Sequence, residues 1–128
     1  IESYKVANIL HKHHLCDATA AWAEVPQMLF YNNAAMANRY FKKPLGVLAE
    51  GAAADVIVMD YIAPTPMNEE NINSHILFGM SGHDVVTTIA NGKVLMENRQ
   101  LTGVDEEALM AKIREGAATL AGRINGYL

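Results

Sequence analysis

The residues that most invite a chemical reading are His11-Lys12-His13-His14, three imidazoles within four positions. Two histidines flanking one residue bind a metal together when they sit on a strand, where alternate side chains share a face. On a helix they diverge by about 200°, which rules out joint ligation. The apolar spacing of Tyr4, Ala7, Ile9 and Leu10 ahead of the cluster predicts a helix. The histidines would then close that helix, where cationic and dipolar groups suit the last carbonyls. His11 and His14 are three apart and could share a face, but no third ligand stands near them in sequence. A solvated helix end is the simpler reading. The alternative is a stand-alone interaction or metal-binding module that uses the His11–His14 cluster.

The remaining candidates are isolated. His75 precedes an apolar run and is expected to hydrogen-bond within a turn rather than to act as a base. His83-Asp84 follows Gly82, and a turn-stabilising aspartate explains it. Asp55 and Asp60 bracket one extended run, which puts them ~16 Å apart at strand rise, too far for a paired acid and base. Glu106 and Glu107 belong to a helix start. Cys16 has no neighbouring base, so it is expected to be a small buried hydrophobe. Gly46 and Gly51 match neither phosphate-loop nor dinucleotide spacing. Met28, Met36, Met59, Met80, Met96 and Met110 fall on apolar faces and are expected as core filler. No catalytic, cofactor-binding or metal-ligating residue is assigned on this chain.

The elements that would position these groups fall into three zones. Residues 1–43 are expected to form three or four short helices. One is an alanine-rich stretch from Asp17 to about Glu24, and Pro26 breaks it or opens the next. Residues 44–101 switch to strand patterning. Ala54 to Asp60 is a compact β-branched run that predicts a strand buried on both faces. Residues 62–73, with Pro64 and Pro66, form a loop, and Ser74 to Met80 gives one or two helical turns. Val85–Ala90, Asn91-Gly92 and Lys93–Glu97 form a hairpin, because a type I′ turn needs positive φ at both central positions. Asp105 to Ile124 is one amphipathic helix with Leu109, Ile113, Leu120 and Ile124 on one face.

Composition narrows the class. The chain has 128 residues, enough for one modest core but short of the roughly 250 that a (β/α)₈ barrel requires. Its apolar content of 51% and charged content of 19% are those of an ordinary globular protein. A net charge of −4, with the cations scattered, argues against a nucleic-acid partner. No run reaches the ~18 apolar residues of a membrane span, so no membrane partner is expected. A single cysteine excludes an intrachain disulfide, and the cytoplasm is the default compartment. The chain opens on Ile1 rather than methionine and runs straight into helical sequence, so a preceding segment is expected.

One ordered set of motifs goes further. Leu45-Gly46-Val47-Leu48-Ala49-Glu50-Gly51, followed by Ala54-Asp55-Val56-Ile57-Val58-Met59-Asp60, resembles the G-x-L-x-x-G-x-x-A-D-hydrophobic-D segment near the C-terminus of amidohydrolase-superfamily enzymes. His75-Ile76-Leu77-Phe78-Gly79, Gly82-His83-Asp84-Val85 and Ile89-Ala90-Asn91-Gly92-Lys93-Val94 follow at the family's spacing, the last resembling its V-x-V-N-G-K-x-V hairpin. Met28 to Tyr40 resembles the helical stretch that ends the barrel. Within the superfamily, the chain resembles the cytosine deaminase, chlorohydrolase and guanine deaminase branch, with a first forty residues like those of the SsnA-type aminohydrolases. Dihydropyrimidinase- and imidazolonepropionase-like branches are the alternatives.

The resemblance implies an α+β piece of a larger enzyme. Residues 1–43 would be terminal helices of a (β/α)₈ barrel, 44–101 the C-terminal strands of a small composite β-sandwich, and 102–128 a final helix. The parent would be a metal-dependent hydrolase of carbon–nitrogen bonds acting on a small heterocyclic substrate. There a divalent metal, zinc or iron, activates the attacking water. The resemblance puts every metal ligand of that family ahead of Ile1, so none is carried onto this chain. His11-Lys12-His13 is not the family's His-x-His. A piece of this kind should bare strand edges and apolar helix faces, and so self-associate or belong to a homo-oligomer.

Overall fold

The computed structural model describes residues 1–127. Its first element is helix α1 (Glu2–Leu15), which buries Tyr4 and Asn8 on one side and ends at Cys16 in the left-handed conformation. After a turn segment, α2 (Glu24–Gln27), a π-helical turn (Met28–Asn32) and α3 (Asn33–Ala37) run on without a break in helical backbone. Pro26 sits in the first turn of α2, where its missing N–H removes no intrahelical bond.

The alanine-rich stretch does not form the expected helix; residues 18–23 are turns. Alanine's propensity is overridden because side chains take the carbonyls that a helix would need. The Lys12 ammonium donates to the carbonyls of Ala18 and Ala20, each at 2.6 Å. Asn8 Nδ2 donates to the Ala21 carbonyl at 3.0 Å, and Ala21 has a φ of 63°. Asp17 Oδ1 accepts from both the amide and the hydroxyl of Thr19, a local bond that competes with helix.

The second half is a four-stranded antiparallel sheet in the order β1 (Val56–Met59), β2 (Val85–Ala90), β3 (Lys93–Glu97), β4 (Gln100–Leu101). β1 pairs with β2 from Val56 opposite Ile89, with a register shift at Val58/Met59. The β2–β3 hairpin forms as expected, with Asn91 and Gly92 at φ 48° and 78°. Between β1 and β2 lie α4 (Ile72–Ser74), a π-turn (His75–Gly79) and a 3₁₀ turn (Gly82–Asp84), in agreement with the turns expected near Ser74–Met80. α5 (Glu106–Asn125) closes the described chain, capped by Asp105, whose carboxylate accepts from the Ala108 amide at 3.0 Å. The architecture is α+β, as the sequence implies.

The core is small. Tyr4 of α1, Val25 of α2 and Leu77 of the second π-turn are its buried members, with Ala7, Ala21, Leu29 and Ile76 packed around them. Much apolar surface is left bare, which corrects three expectations. β1 is not buried on both faces, since Ile57 and Val58 remain 53% and 47% exposed. A β-branched run reports that a strand expects cover; it does not supply the covering layer. Cys16 is exposed rather than buried, because the left-handed helix end turns it outward. Of the methionines expected in the core, Met80 is buried, whereas Met28, Met36 and Met110 lie on open helix faces.

Candidate functional site

The histidine cluster occupies the last turn of α1, as its spacing predicts. His13 and His14 are exposed, as is His11, while Lys12 between them is engaged. Its ammonium holds the two turn carbonyls and lies 4.3 Å from the centroid of the Trp22 ring. Trp22 in turn packs against Phe78 in a T-shaped arrangement, with centroids 5.7 Å apart at 66°. Lysine, not histidine, is the organising residue here, and its work is to fasten turn 18–23 to α1.

The most developed polar cluster centres on His75, which is buried. Its Nδ1 lies 2.9 Å from the Tyr61 hydroxyl and its Nε2 3.3 Å from Thr65 Oγ1. A neutral imidazole offers one donor and one acceptor, and two hydroxyls that each donate or accept satisfy both. The Tyr61 ring and the imidazole also form a T-shaped pair, with centroids 5.8 Å apart. Gly79 lies directly beneath: a Cβ there would collide with the Tyr61 hydroxyl oxygen. Together with Pro64, Asn71 and Phe78 these residues line an open depression of about 310 Å³. Sequence reasoning placed His75 in a hydrogen-bonded turn and missed both of its partners, which come from the preceding loop. The group can anchor that loop; no carboxylate or thiol among the described residues joins it.

The carboxylates stay apart and serve the backbone. Asp55 Oδ1 accepts from the Asn91 amide and ties β1 to the hairpin turn. Asp84 completes a capping box with Ser81, whose amide donates to its Oδ2 at 2.7 Å, which is the turn-stabilising role expected of it. Asp60 lies 3.8 Å from the guanidinium of Arg99 on the surface. Among the described residues, two groups have a shifted affinity for protons. Hydrogen bonds from Thr19 lower Asp17, and burial raises Tyr4.

Four further depressions have clear linings. One of about 380 Å³ lies between Phe41, Lys42, Lys43, Asp55 and the hairpin turn. An apolar groove of about 340 Å³ runs between Leu29, Phe30, Ile57, Met59 and Met80. Two other hollows flank α1. None of the four is built around a hydrogen-bonded acid–base pair among the described residues. Nor do any three His, Cys, Asp or Glu side chains among those residues stand close enough to hold a metal. The residues present therefore do not fit the divalent metal that the resemblance implies for the parent enzyme.

No family model matches the chain. Curated proteins do. A 5-methylthioadenosine/S-adenosylhomocysteine deaminase of Thermococcus sibiricus is 44% identical over 96 residues, covering 75% of this chain and 22% of the relative. A 5′-deoxyadenosine deaminase of Methanosarcina mazei is 33% identical over 125 residues, covering 97% of this chain and 28% of the relative. A third relative, a 5-methylthioadenosine/S-adenosylhomocysteine deaminase of Pelotomaculum thermopropionicum, is 32% identical over 123 residues, covering 96% of this chain and 28% of the relative. The chain thus spans about a quarter of the length of the curated relatives it matches. Taken with the ordered motifs from Leu45 to Val94, these matches show that the chain belongs to the amidohydrolase superfamily, where it fits the C-terminal part of a deaminase-type member.

Proposed function

We propose that this chain is the non-catalytic C-terminal portion of a metal-dependent aminohydrolase that releases ammonia from an adenosine-like heterocycle. In that reaction water adds to the ring carbon bearing the amino group, and ammonia leaves. The single observation that carries the reading is the match along 97% of this chain to a named 5′-deoxyadenosine deaminase. It favours an amino-heterocycle over the chloro- or guanine-type substrates of the same branch, and over dihydropyrimidinase- and imidazolonepropionase-like chemistry. The finer kinship to SsnA-type aminohydrolases belongs to the same proposal.

Within the parent, residues 1–43 are assigned to the terminal helices of a (β/α)₈ barrel, 44–101 to a composite β-sandwich and 102–128 to a final helix. The zinc or iron of the parent supplies water activation when bound. The residues of this chain do not fit it, and their contribution is support. Lys12 and Asn8 pin the turn after α1, His75 anchors the loop before α4, and Asp55 fastens β1 to its hairpin. The bare apolar surface supports self-association, and the cytoplasm is the proposed compartment. No helix among the described residues is long and apolar enough to cross a membrane.

The test is an ammonia-release assay on 5′-methylthioadenosine and 5′-deoxyadenosine, with metal content measured by elemental mass spectrometry. The 128-residue chain is expected to hold sub-stoichiometric metal and release no ammonia, while a longer polypeptide from the same reading frame binds metal and releases ammonia. One tightly held metal per chain, lost in His11→Ala/His13→Ala, would instead establish the histidine cluster as a site of its own.

A further inference from the structure

Two glycines directly follow asparagine in this chain, Gly92 in the β2–β3 turn and Gly126 at the end of α5. An Asn-Gly pair is open to self-modification, because the glycine nitrogen has no side chain beside it to crowd its approach. Having lost its proton to solvent base, that nitrogen attacks the side-chain Cγ of the asparagine. A bond from nitrogen to Cγ forms, the bond from Cγ to the amide nitrogen breaks, and ammonia leaves with a proton from solvent. Water then opens the cyclic imide at either carbonyl, giving aspartate or isoaspartate. One water enters and one ammonia departs in all. The attacking nitrogen must first give up its own hydrogen bond, so the ease of local opening sets the rate.

The fold treats the two pairs differently. The Gly92 amide donates to the Ala54 carbonyl at 3.0 Å, and the Asn91 amide donates to the Asp55 carboxylate. Ala90 and Lys93 are partners across the same turn. Freeing the Gly92 nitrogen therefore means parting the hairpin from the segment that leads into β1. The Gly126 amide is held within its own helix, by the carbonyls of Gly122 and Arg123, each at 3.2 Å. Asn125 and Gly126 are exposed, as is every described residue of α5. No packing opposes fraying of a helix end so placed, and such ends open at almost no cost in free energy.

We propose that Asn125-Gly126 is a site of self-modification, at which Asn125 passes through a cyclic imide to aspartate and isoaspartate, and that the hairpin shields the identical pair Asn91-Gly92. The product acts back on the helix. Either form puts a new carboxylate at the C-terminal end of α5, where the dipole disfavours negative charge. Isoaspartate also adds a methylene to the backbone, so the last turn cannot re-form its bonds. Modification of Asn125 thus shortens α5 irreversibly. The inference is independent of the deaminase reading, which could fail while this site stands.

The test is a time course of the 128-residue chain in warm, mildly alkaline buffer, with and without concentrated guanidinium. Peptide mapping by mass spectrometry reads aspartate and isoaspartate at positions 91 and 125 of the same molecules, so each site is the other's control. In buffer, Asn125 is expected to be modified about tenfold or more faster than Asn91, the ratio of their openings. In guanidinium the two rates should converge to within about threefold, since no fold remains to separate them. Gly126→Ala should slow Asn125 by about tenfold, because a side chain now crowds the attacking nitrogen. That variant keeps the fold, as its added Cβ would meet the Arg123 and Gly122 carbonyls only at 3.5 and 3.6 Å. Helical circular dichroism should fall in step with modification at position 125. Equal rates in buffer, or a faster Asn91, would overturn the proposal. So would a gap that persists in guanidinium, which would trace it to the flanking residues, or an Asn125 rate indifferent to Gly126→Ala.

Discussion

The Tyr61 hydroxyl lies 2.9 Å from Nδ1 of His75, and the space beneath it is kept open by the absence of a side chain at Gly79. One contact thus depends on a residue that takes no part in it. A methyl group at position 79 would overlap the phenol oxygen, so Gly79→Ala must displace Tyr61 and leave His75 short of a partner in a buried setting. A loss of about 1–3 kcal/mol is expected, the usual consequence of orphaning a buried polar group. Tyr61→Phe/Gly79→Ala should lose less than the sum of its single variants, because both act on the same contact. Urea unfolding of the four proteins gives the comparison.

Lys12 offers a second test. Its ammonium holds the carbonyls of Ala18 and Ala20 and sits against the Trp22 ring, so Lys12→Met keeps the aliphatic stem and removes both charge-assisted bonds. Destabilisation of about 1–3 kcal/mol is expected. Tryptophan emission should change in the native baseline, since Trp22 is the sole tryptophan and rests on this contact. Lys12→Arg should not restore stability fully, because a planar guanidinium cannot reproduce a point donor aimed at two carbonyls.

Two shifted groups bear on opposite limbs of the stability profile. Thr19 hydrogen bonds hold Asp17 below its ordinary value of 3.8, so its contribution is present above that pH and is lost as pH falls through the lowered native value. Asp17→Asn should flatten the acid limb. Burial holds Tyr4 above its ordinary value of 10.0. Its contribution is complete below about pH 10 and declines above it, where the unfolded chain ionises first. Tyr4→Phe should flatten the alkaline limb. Thermal midpoints across the pH range measure both.

At the hairpin, Gly92 has a φ of 78° and an added Cβ would meet only Ala54 at 3.9 Å. The cost of Gly92→Ala is therefore conformational rather than steric, about 1 kcal/mol. Gly92→Asn should recover part of it, because asparagine tolerates the left-handed region better than alanine. Thermal unfolding of the three proteins side by side measures the difference.

The parts of the fold legible in the sequence are those decided within a few residues. Asn91-Gly92 specifies its own turn, Asp105 caps α5, and Pro26 marks the start of α2. Residues 18–23 were not legible as turns, because Lys12 and Asn8 divert their carbonyls from positions earlier in the chain. The His75 partners were hidden for a related reason, since Tyr61 and Thr65 reach it across a loop whose path no local rule predicts. Burial was the least legible property. Met28, Met36 and Ile57 read as core and stand open, since apolar character records a demand for cover without saying what meets it.

The left-handed end of α1 leaves the sole thiol, Cys16, facing solvent, six positions from the sole tryptophan, with the Lys12-fastened turn between them. The molecule thus carries a built-in optical ruler. A quencher attached to Cys16 would report through Trp22 emission on the opening of that one turn. Local fraying there could then be timed separately from global unfolding without adding any residue.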